Sequence, residues 1–228
     1  MTAHHSIAHP RGVTRTFKPR RRGLTPSQAE RFARVAPRYV LPIEGEQVEW
    51  VDVFGASGDV VLDIGFGWGA ALVELAIARP TEFVVGIDVH TPGVAWVLDA
   101  IERHDLRNVR LVHDDVLDFL HRVPSASLSA IRVWFPDPWP KARQRHRRLI
   151  TPDVVATFAD RLRVGGSLHL ATDIADYAVQ MQQVCDAEPR LHGGVVQRPQ
   201  WRPHTPFERK GSDAGRVAVD LVYNRQPT

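Results

Sequence analysis

The 228-residue sequence predicts a doubly wound α/β fold with a mostly parallel sheet, helices on both faces and an antiparallel C-terminal strand. Short β-branched runs alternate with segments rich in helix-forming residues, which is typical of parallel strands joined by helices. The strand-like runs are almost continuously apolar, as expected for strands that are covered on both faces. These patterns indicate one α/β domain over residues 39–228, preceded by a basic and flexible N-terminal arm over residues 1–38.

Each element follows from a local signal along the chain. Strands are expected where β-branched and apolar residues cluster and then stop at glycine or at a polar residue. They cover residues 60–65, 83–88, 109–112, 131–135, 167–171 and 217–223. Helices are expected over residues 68–78, 92–103, 152–162 and 174–186, with a short one through Leu117 and Leu120. A further short helix can follow Thr25-Pro26, because proline is favoured at the first helical position.

Composition excludes several classes of protein. Hydrophobic residues make up 43% and charged residues 24%, which argues against wholesale disorder and against a membrane-embedded chain. The apolar stretches are too short to span a bilayer, and the N-terminus lacks the apolar segment of a secretory signal. Cys185 is the single cysteine, so an internal disulfide and a CxxC metal site are excluded. We expect a cytoplasmic protein with no membrane association and no metal.

The net charge of +3 conceals two strongly basic segments. Residues 1–38 hold nine basic residues and one acid, and residues 132–148 hold six basic residues and one acid. The rest of the chain is acidic. Two concentrated positive segments favour a polyanionic partner, although each alone could be a solvated surface. The candidate contacts to an RNA backbone are Arg15, Arg20, Arg21, Arg22, Arg143, Arg145, Arg147 and Arg148.

A glycine-rich turn follows the first predicted strand. The segment DIGFGWG supplies Asp63, Gly65, Gly67 and Gly69, and the second strand ends in Asp88. In doubly wound sheets ligands bind outside the carboxyl ends of the strands, where glycines allow close approach to the backbone. A carboxylate at the end of the second strand can accept hydrogen bonds from both hydroxyls of a ribose. These features alone suit NAD and S-adenosylmethionine equally well.

Two acids follow the third strand, and a proline-rich segment follows the fourth. Asp114 is the candidate partner of an adenine amino group, Asp115 could replace it, and either could instead cap the next helix. The segment FPDPWPK places Asp137 between two prolines at a strand end, where a catalytic group is expected. Its aromatic rings could stack a base, and the arginines that follow could contact phosphates.

With these motifs, the sequence resembles the bacterial tRNA (guanine-N7-)-methyltransferase family. The resemblance covers most of the chain and rests on DIGFGWG, on FPDPWPK with its trailing RRL, and on further short motifs. These are Arg15-Thr-Phe17 with the segment RRGLT, Ala171-Thr172-Asp173 with Tyr177, and the late segment TPFERKG over residues 205–211. The resemblance implies a Rossmann-like methyltransferase that uses S-adenosylmethionine to methylate N7 of a guanosine in tRNA, at position 46 in the variable loop.

The resemblance also implies roles for individual residues. Asp63, Gly65, Gly67, Gly69, Asp88, Asp114 and Asp137 would contact the cofactor, and Asp137 would be the catalytic residue. Lys141, Asp173, Thr205, Phe207 and Glu208 would contact the guanosine. Two positions depart from the family pattern. Family members commonly have glutamate at the position of Asp63 and lysine at the position of Pro206.

Three alternatives stay open from the sequence. They are a methyltransferase acting on another RNA or on a small molecule, a nicotinamide-dependent dehydrogenase, and an RNA-binding protein without catalytic activity. No obligate protein partner is indicated, and the chain could be a monomer or a homodimer.

Overall fold

A computed structural model describes Thr16 and residues 23–227 of the protein, and contains one seven-stranded sheet. The strands are β1 (Asp59–Ile64), β2 (Glu82–Ile87), β3 (Val109–Val112), β4 (Leu128–Trp134), β5 (Leu162–Thr172), β6 (Leu191–Val196) and β7 (Val219–Arg225). Their order across the sheet is β3-β2-β1-β4-β5-β7-β6. The pairs from β3 to β5 are parallel, and β7 is antiparallel to both of its neighbours. The predicted doubly wound sheet with an antiparallel C-terminal strand is therefore confirmed.

The α-helices of the described chain connect these strands. They are α1 (Pro26–Tyr39), α2 (Trp50–Phe54), α3 (Ala70–Ala78), α4 (Thr91–His104), α5 (Val116–Phe119), α6 (Pro152–Arg161), α7 (Ala175–Asp186) and α8 (Pro206–Asp213). Two 3₁₀ helices cover Leu120–Arg122 and Ala142–Arg147. Within the described residues, no helix is both long and apolar enough to cross a membrane.

Two apolar clusters cover the two faces of the sheet. One includes residues of α5, α6 and α7, such as Phe119, Phe158 and Met181, packed on β1, β4 and β5. The other joins α1, α3 and α4 to β2 and β3 through residues such as Leu72 and Leu98. Because both faces are covered, the strands of the described sheet can be apolar along most of their length, as the sequence indicates.

The end of the predicted arm belongs to the folded domain. The sequence indicates an arm that extends to residue 38, but α1 packs along α4 and buries Val35 and Tyr39 in the second cluster. Thr25 caps this helix, since its hydroxyl accepts a hydrogen bond from the backbone N–H of Gln28. The predicted start of α1 is correct and its predicted length is too short. Residues 1–15 and 17–22, including Arg15, Arg20, Arg21 and Arg22, lie outside the described residues.

Apart from the 3₁₀ helix Ala142–Arg147, three described elements have no counterpart in the sequence prediction, namely α2, β6 and α8. α2 has five residues, and β6 contains two consecutive glycines, Gly193 and Gly194. Gly193 lies so close to β7 that an added Cβ would stand 2.0 Å from the carbonyl oxygen of Val222. Tertiary contact, and not the preference of the residues for strand, therefore fixes β6.

Candidate active site

A cleft of about 260 Å³ opens at the carboxyl ends of β1 to β4. The order of the strands reverses between β1 and β4, and in doubly wound sheets this reversal is where ligands bind. The cleft is lined by the predicted residues Gly65, Gly67, Asp88, Asp114, Asp137 and Phe207. The structure therefore brings together one predicted acid after each of β2, β3 and β4, on both sides of the glycine loop that follows β1.

The glycine loop and Asp88 are joined by direct hydrogen bonds. The backbone N–H of Gly67 donates to Oδ2 of Asp88 at 2.6 Å, and the N–H of His90 donates to Oδ1 at 2.7 Å. Gly65 has a φ of 75°, and an added Cβ there would meet nothing within 4 Å. The backbone of the loop thus faces open space in the cleft, as close approach of a ligand requires.

The two acids after β3 have different tasks in the structure. Oδ1 of Asp115 accepts a hydrogen bond from the backbone N–H of Leu117 and caps α5. Asp114 is exposed at the rim of the cleft. Helix capping, which the sequence allows for either residue, is thus an observed role of Asp115. Both acids line the cleft, and Asp114 is the more exposed of the two.

A smaller recess of about 50 Å³ adjoins the cleft and is lined by Asp63, Gly69, Trp134 and Thr205 among others. Asp63 is buried, and its Oδ2 has no hydrogen-bond partner among the described residues. Burial raises the pKa of Asp63 to about 6, although the charge of Arg132 opposes this shift. Gly69 must also lack a side chain for packing, since an added Cβ would lie 2.1 Å from the side chain of Val97 on α4. Gly69 therefore serves the packing of α3 on α4 as well as the recess.

Polar side chains cross the middle of the sheet on the face that carries Asp63. Arg132 on β4 is a register partner of Asp63 and of His169, and its guanidinium is 2.6 Å from Glu82. His169 Nε2 is 2.7 Å from Oδ1 of Asp220 on β7. Burial lowers the pKa of His169, against the opposing effect of Asp220. His169 is therefore a buried structural residue, and the candidate chemistry belongs to other side chains.

The loop that carries Asp137 is held in an unusual backbone conformation. Phe135 has a φ of 54° and Trp139 a φ of 42°, a region that large side chains rarely adopt. Such residues cost about 1–3 kcal/mol each and persist where the surrounding contacts hold them. The N–H of Phe135 donates to Ala171 O at 2.7 Å, and Nε1 of Trp139 donates to Thr16 O at 2.8 Å. Thr16 also lines the cleft, so this indole connects the N-terminal segment to the site.

The arginines after this loop divide into two groups. Arg143 and Arg145 are exposed, Arg145 lies 3.1 Å from Asp176, and Arg147 lies over the ring of Trp139 at 4.8 Å. Arg148 is different, because its side chain is 1% exposed. The prediction that Arg148 contacts RNA is therefore wrong in this conformation, since a phosphate cannot reach its guanidinium.

Three of the five predicted guanosine contacts, Thr205, Phe207 and Glu208, lie at the start of α8. Thr205 lines the recess and caps α8, where Pro206 occupies a first-turn position and Phe207 is 40% exposed at the cleft. Glu208 is buried, with Nη1 of Arg202 at 2.9 Å and Nε of Arg198 at 3.0 Å, so it is not open to a base.

Asp173 and Lys141 lie outside the described lining of the cleft and the recess. Oδ2 of Asp173 accepts a hydrogen bond from Nε of Arg216 at 2.7 Å, and Lys141 is exposed.

Sequence reasoning missed Arg202, which organises this region. Its side chain is fully buried and binds both Glu208 of α8 and Asp220 of β7. The sequence shows only that two arginines, Arg198 and Arg202, precede the TPFE segment, and nothing there indicates burial. Among the described residues, no group of three or more His, Cys, Asp or Glu side chains could hold a metal ion.

Comparison with known proteins places this geometry in a family. Residues 57–221 match a family model described as "Putative methyltransferase". A tRNA (guanine-N(7)-)-methyltransferase of Streptomyces avermitilis is 41% identical, over 92% of this chain and 75% of that protein. Another, from Xanthomonas axonopodis pv. citri, is 42% identical over 96% of this chain and 87% of that protein. These matches favour the methyltransferase interpretation over the dehydrogenase alternative.

Solved structures support the fold. The 16S rRNA methyltransferase KamB has a TM-score of 0.60 at 16% identity, covering 83% of this chain and 99% of its own. The aminoglycoside resistance methyltransferase NpmB1 has a TM-score of 0.57 at 16% identity, covering 79% of this chain and 95% of its own. At that identity only the Rossmann-like fold is shared. From the sequence matches, with the cleft at the reversal of the strand order, the chain belongs to the tRNA (guanine-N(7)-)-methyltransferase family.

Proposed function

We propose that this protein transfers a methyl group from S-adenosylmethionine to N7 of a guanosine in tRNA. The products are 7-methylguanosine in the RNA and S-adenosylhomocysteine. The observation that carries the proposal is a cleft with acids at three strand ends, in a chain 41–42% identical to enzymes named for this reaction. The guanosine at position 46 in the variable loop is the specific target that we propose.

The residues of the cleft fit this cofactor. The open space above Gly65 admits a ligand against the backbone, and Asp88 lies where it can accept hydrogen bonds from the ribose hydroxyls. Asp114 at the rim suits the amino group of adenine. In the adjoining recess, Oδ2 of buried Asp63 lacks a donor among the described residues and suits the ammonium group of the methionine portion, because a buried acceptor without a donor is costly. When bound, the cofactor supplies a methyl group already activated by a positive sulfur.

The acceptor atom decides what the protein must do. Guanine N7 carries a lone pair and no proton, so no general base is required. The protein must hold N7 and the methyl group in line, and such positioning can supply roughly 7–11 kcal/mol. Asp137 lies at the cleft on a rigid loop between prolines, and we assign it the task of orienting the reacting groups. Its charge can also stabilise the cationic purine that forms.

The guanosine enters beside Phe207. Its exposed ring can stack on a base, as aromatic side chains commonly do with unstacked RNA bases. Asp173 would accept hydrogen bonds from guanine N1 and N2, in which case its ion pair with Arg216 must rearrange. Thr205 contributes by fixing the start of α8, and exposed Lys141, four residues after Asp137, remains a candidate contact.

Phosphate contacts are assigned to the basic residues next to the loop that carries Asp137. Arg143 and Arg145 are exposed there, and Arg147 is partly buried over the ring of Trp139. Arg15, Arg20, Arg21 and Arg22 would extend this surface along the RNA. Such contacts position the substrate without reading its sequence.

The test is to incubate the protein with unmodified tRNA and labelled S-adenosylmethionine and then to map the modified nucleoside. We expect label in 7-methylguanosine at position 46. Ribosomal RNA serves as the competing acceptor, because the open alternative is a methyltransferase for another RNA. Label in ribosomal RNA alone, or at another atom of guanine, would overturn the assignment.

A further inference from the structure

The loop that carries Asp137 needs an external support. Asp137 stands between Phe135 and Trp139, the two residues of this loop with positive φ, so the backbone on both sides of the carboxylate is strained. Strained segments relax unless fixed contacts hold them. The carbonyl oxygen of Pro138, directly after Asp137, receives such a contact from Arg148.

Arg148 uses every nitrogen of its guanidinium group inside the protein. Nε donates to Pro138 O at 2.9 Å, Nη1 to Oε1 of Gln180 at 2.7 Å, and Nη2 to Oδ2 of Asp176 at 2.6 Å. The guanidinium also lies over the ring of Tyr177 at 4.6 Å. A buried cation is tolerated only when it is paired in this way. Arg148 thus ties the loop to α7, because Asp176, Tyr177 and Gln180 all belong to that helix.

We infer that Arg148 is a positioning residue for methyl transfer, which holds Asp137 at the cleft by fixing Pro138 to α7. The inference rests on the proposed function, since it names a residue that serves the same reaction. Arg148 belongs to a basic run whose pattern favours phosphate contacts, yet its role is internal. Its neighbours Arg143 and Arg145 remain exposed and can meet the RNA.

The decisive variant is Arg148→Lys. Lysine keeps the positive charge beside Asp176 but lacks the planar fork that also reaches Pro138 and Gln180. We expect the single-turnover rate of methyl transfer to fall about 10- to 100-fold, because a small misplacement of a reacting group has effects of that size. We expect the dissociation constant for tRNA, and its dependence on salt, to stay within about twofold, because every phosphate-binding side chain is retained.

A second measurement does not depend on activity. The N–H of Phe135 is bonded to Ala171 O where the loop begins, so its hydrogen exchange reports opening of the loop. In the ligand-free protein, Arg148→Lys should accelerate this exchange by about tenfold, as expected when a charge-assisted hydrogen bond is removed. The matched control is Arg190→Lys, which removes comparable bonds to Glu188 and Ala156 O near the start of β6. It should change neither the loop exchange nor the rate.

The outcomes distinguish a role of Arg148 in positioning Asp137 from a role in binding phosphate. Weaker tRNA binding, a smaller salt dependence and an unchanged rate would show that Arg148 is a phosphate contact, and would overturn the inference. Unchanged exchange at Phe135 would overturn it as well. If the unmodified protein does not methylate tRNA, the proposed function fails, while the exchange measurement still tests the support of the loop.

Discussion

Asp63 combines burial with an unused oxygen, an arrangement that stability alone does not favour. Its pKa is raised to about 6 by burial. Between about pH 4 and pH 6 the folded protein therefore holds a proton that the unfolded chain has released, and stability falls as pH rises through this window. Near neutral pH the charged carboxylate is a liability unless a cationic ligand compensates for it.

The first prediction concerns Asp63→Asn. Near pH 7.5 the variant should be more stable than the parent by about 1–3 kcal/mol, and its stability should change less between pH 4 and pH 6. Its affinity for S-adenosylmethionine should fall, because the negative charge is gone. Urea unfolding at several pH values and calorimetric titration of the cofactor measure these changes. The control is Asp52→Asn on the exposed side of α2. An unchanged pH profile of stability would contradict the prediction.

The second prediction concerns Asp137→Ala. Methyl transfer should be abolished while the unfolding free energy stays within about 1 kcal/mol of the parent, since Asp137 lies at the cleft and outside the described apolar core. Circular dichroism and urea unfolding establish that the fold is intact, and single-turnover assays establish the rate. Near-normal turnover would remove Asp137 from the mechanism.

At the scale of the element, α8 depends on one buried arginine. Arg202 lies 2.6 Å from Glu208 at the start of the helix and 2.7 Å from Asp220 of β7. Burial would raise the pKa of Glu208, but hydrogen bonds and charge from Arg202 and Arg198 outweigh it and lower the pKa. The stability that Glu208 contributes is thus present above its unfolded pKa and is lost as the pH falls through the lowered value.

The third prediction concerns Arg202→Ala. Removing the cation takes away the charge shared by two buried carboxylates and leaves Arg198 beside Glu208 and His169 beside Asp220, which should cost about 3–5 kcal/mol of stability. Arg198→Ala is the matched control, because the Arg198 side chain also binds Glu208 but is 26% exposed. This variant should lose about 1 kcal/mol of stability. Urea unfolding at pH 7.5 measures both. Equal and small losses would show that α8 is not held through Arg202.

The elements also show how far the sequence could be interpreted. β1, β2 and β3 were predicted within one residue of their observed bounds, because apolar runs that end at a glycine or aspartate leave little freedom. Sequence reasoning missed α8 although Thr205-Pro206 is a helix-start signal of the same kind as Thr25-Pro26, because the segment that follows is short and has no apolar periodicity. Buried ion pairs hold this helix in place. The same limit applies to Arg148 and Glu208, since a charged residue in a charged run carries no sign of its burial. The sequence does predict that Asp88, Asp114 and Asp137 line the cleft, because the carboxyl ends of parallel strands lie at one edge of the sheet.

At the scale of the whole molecule, several residues of the basic segments are engaged in ion pairs within the protein, so fewer of them can contact RNA than the charge of the segments suggests. Arg132 and Arg148 are buried in ion pairs, and Arg31 and Arg34 bind Asp99 and Glu102 on α4. Within the part of the chain that the structure describes, the exposed basic residues beside Asp137 are therefore Lys141, Arg143 and Arg145. The net charge of +3 does not reveal this distribution.

The fourth prediction concerns deletion of residues 1–22. Binding of tRNA should weaken much more than binding of S-adenosylmethionine, and the slope of log affinity against log salt should fall by about 0.7–0.9 for each phosphate that the shortened chain no longer neutralises. A smaller effect on the cofactor is expected too, because Thr16 lines the cleft. Filter binding at several salt concentrations measures the slope. The control is Arg163→Ala, which removes an arginine that pairs with Asp59 at the start of β1. An equally weakened tRNA affinity in that variant would contradict the prediction.

The position of β7 between β5 and β6 has a consequence during synthesis of the chain. Domains generally begin to fold from their N-terminal part as they are made. β6 and α8 precede β7 in the chain, yet β6 pairs with β7 and Arg202 binds Asp220 on it. Both therefore lack their β7 contacts until residues 219–225 have left the ribosome. Phe207 belongs to α8, so we expect this wall of the cleft, and with it full activity, to form only after β7 has emerged.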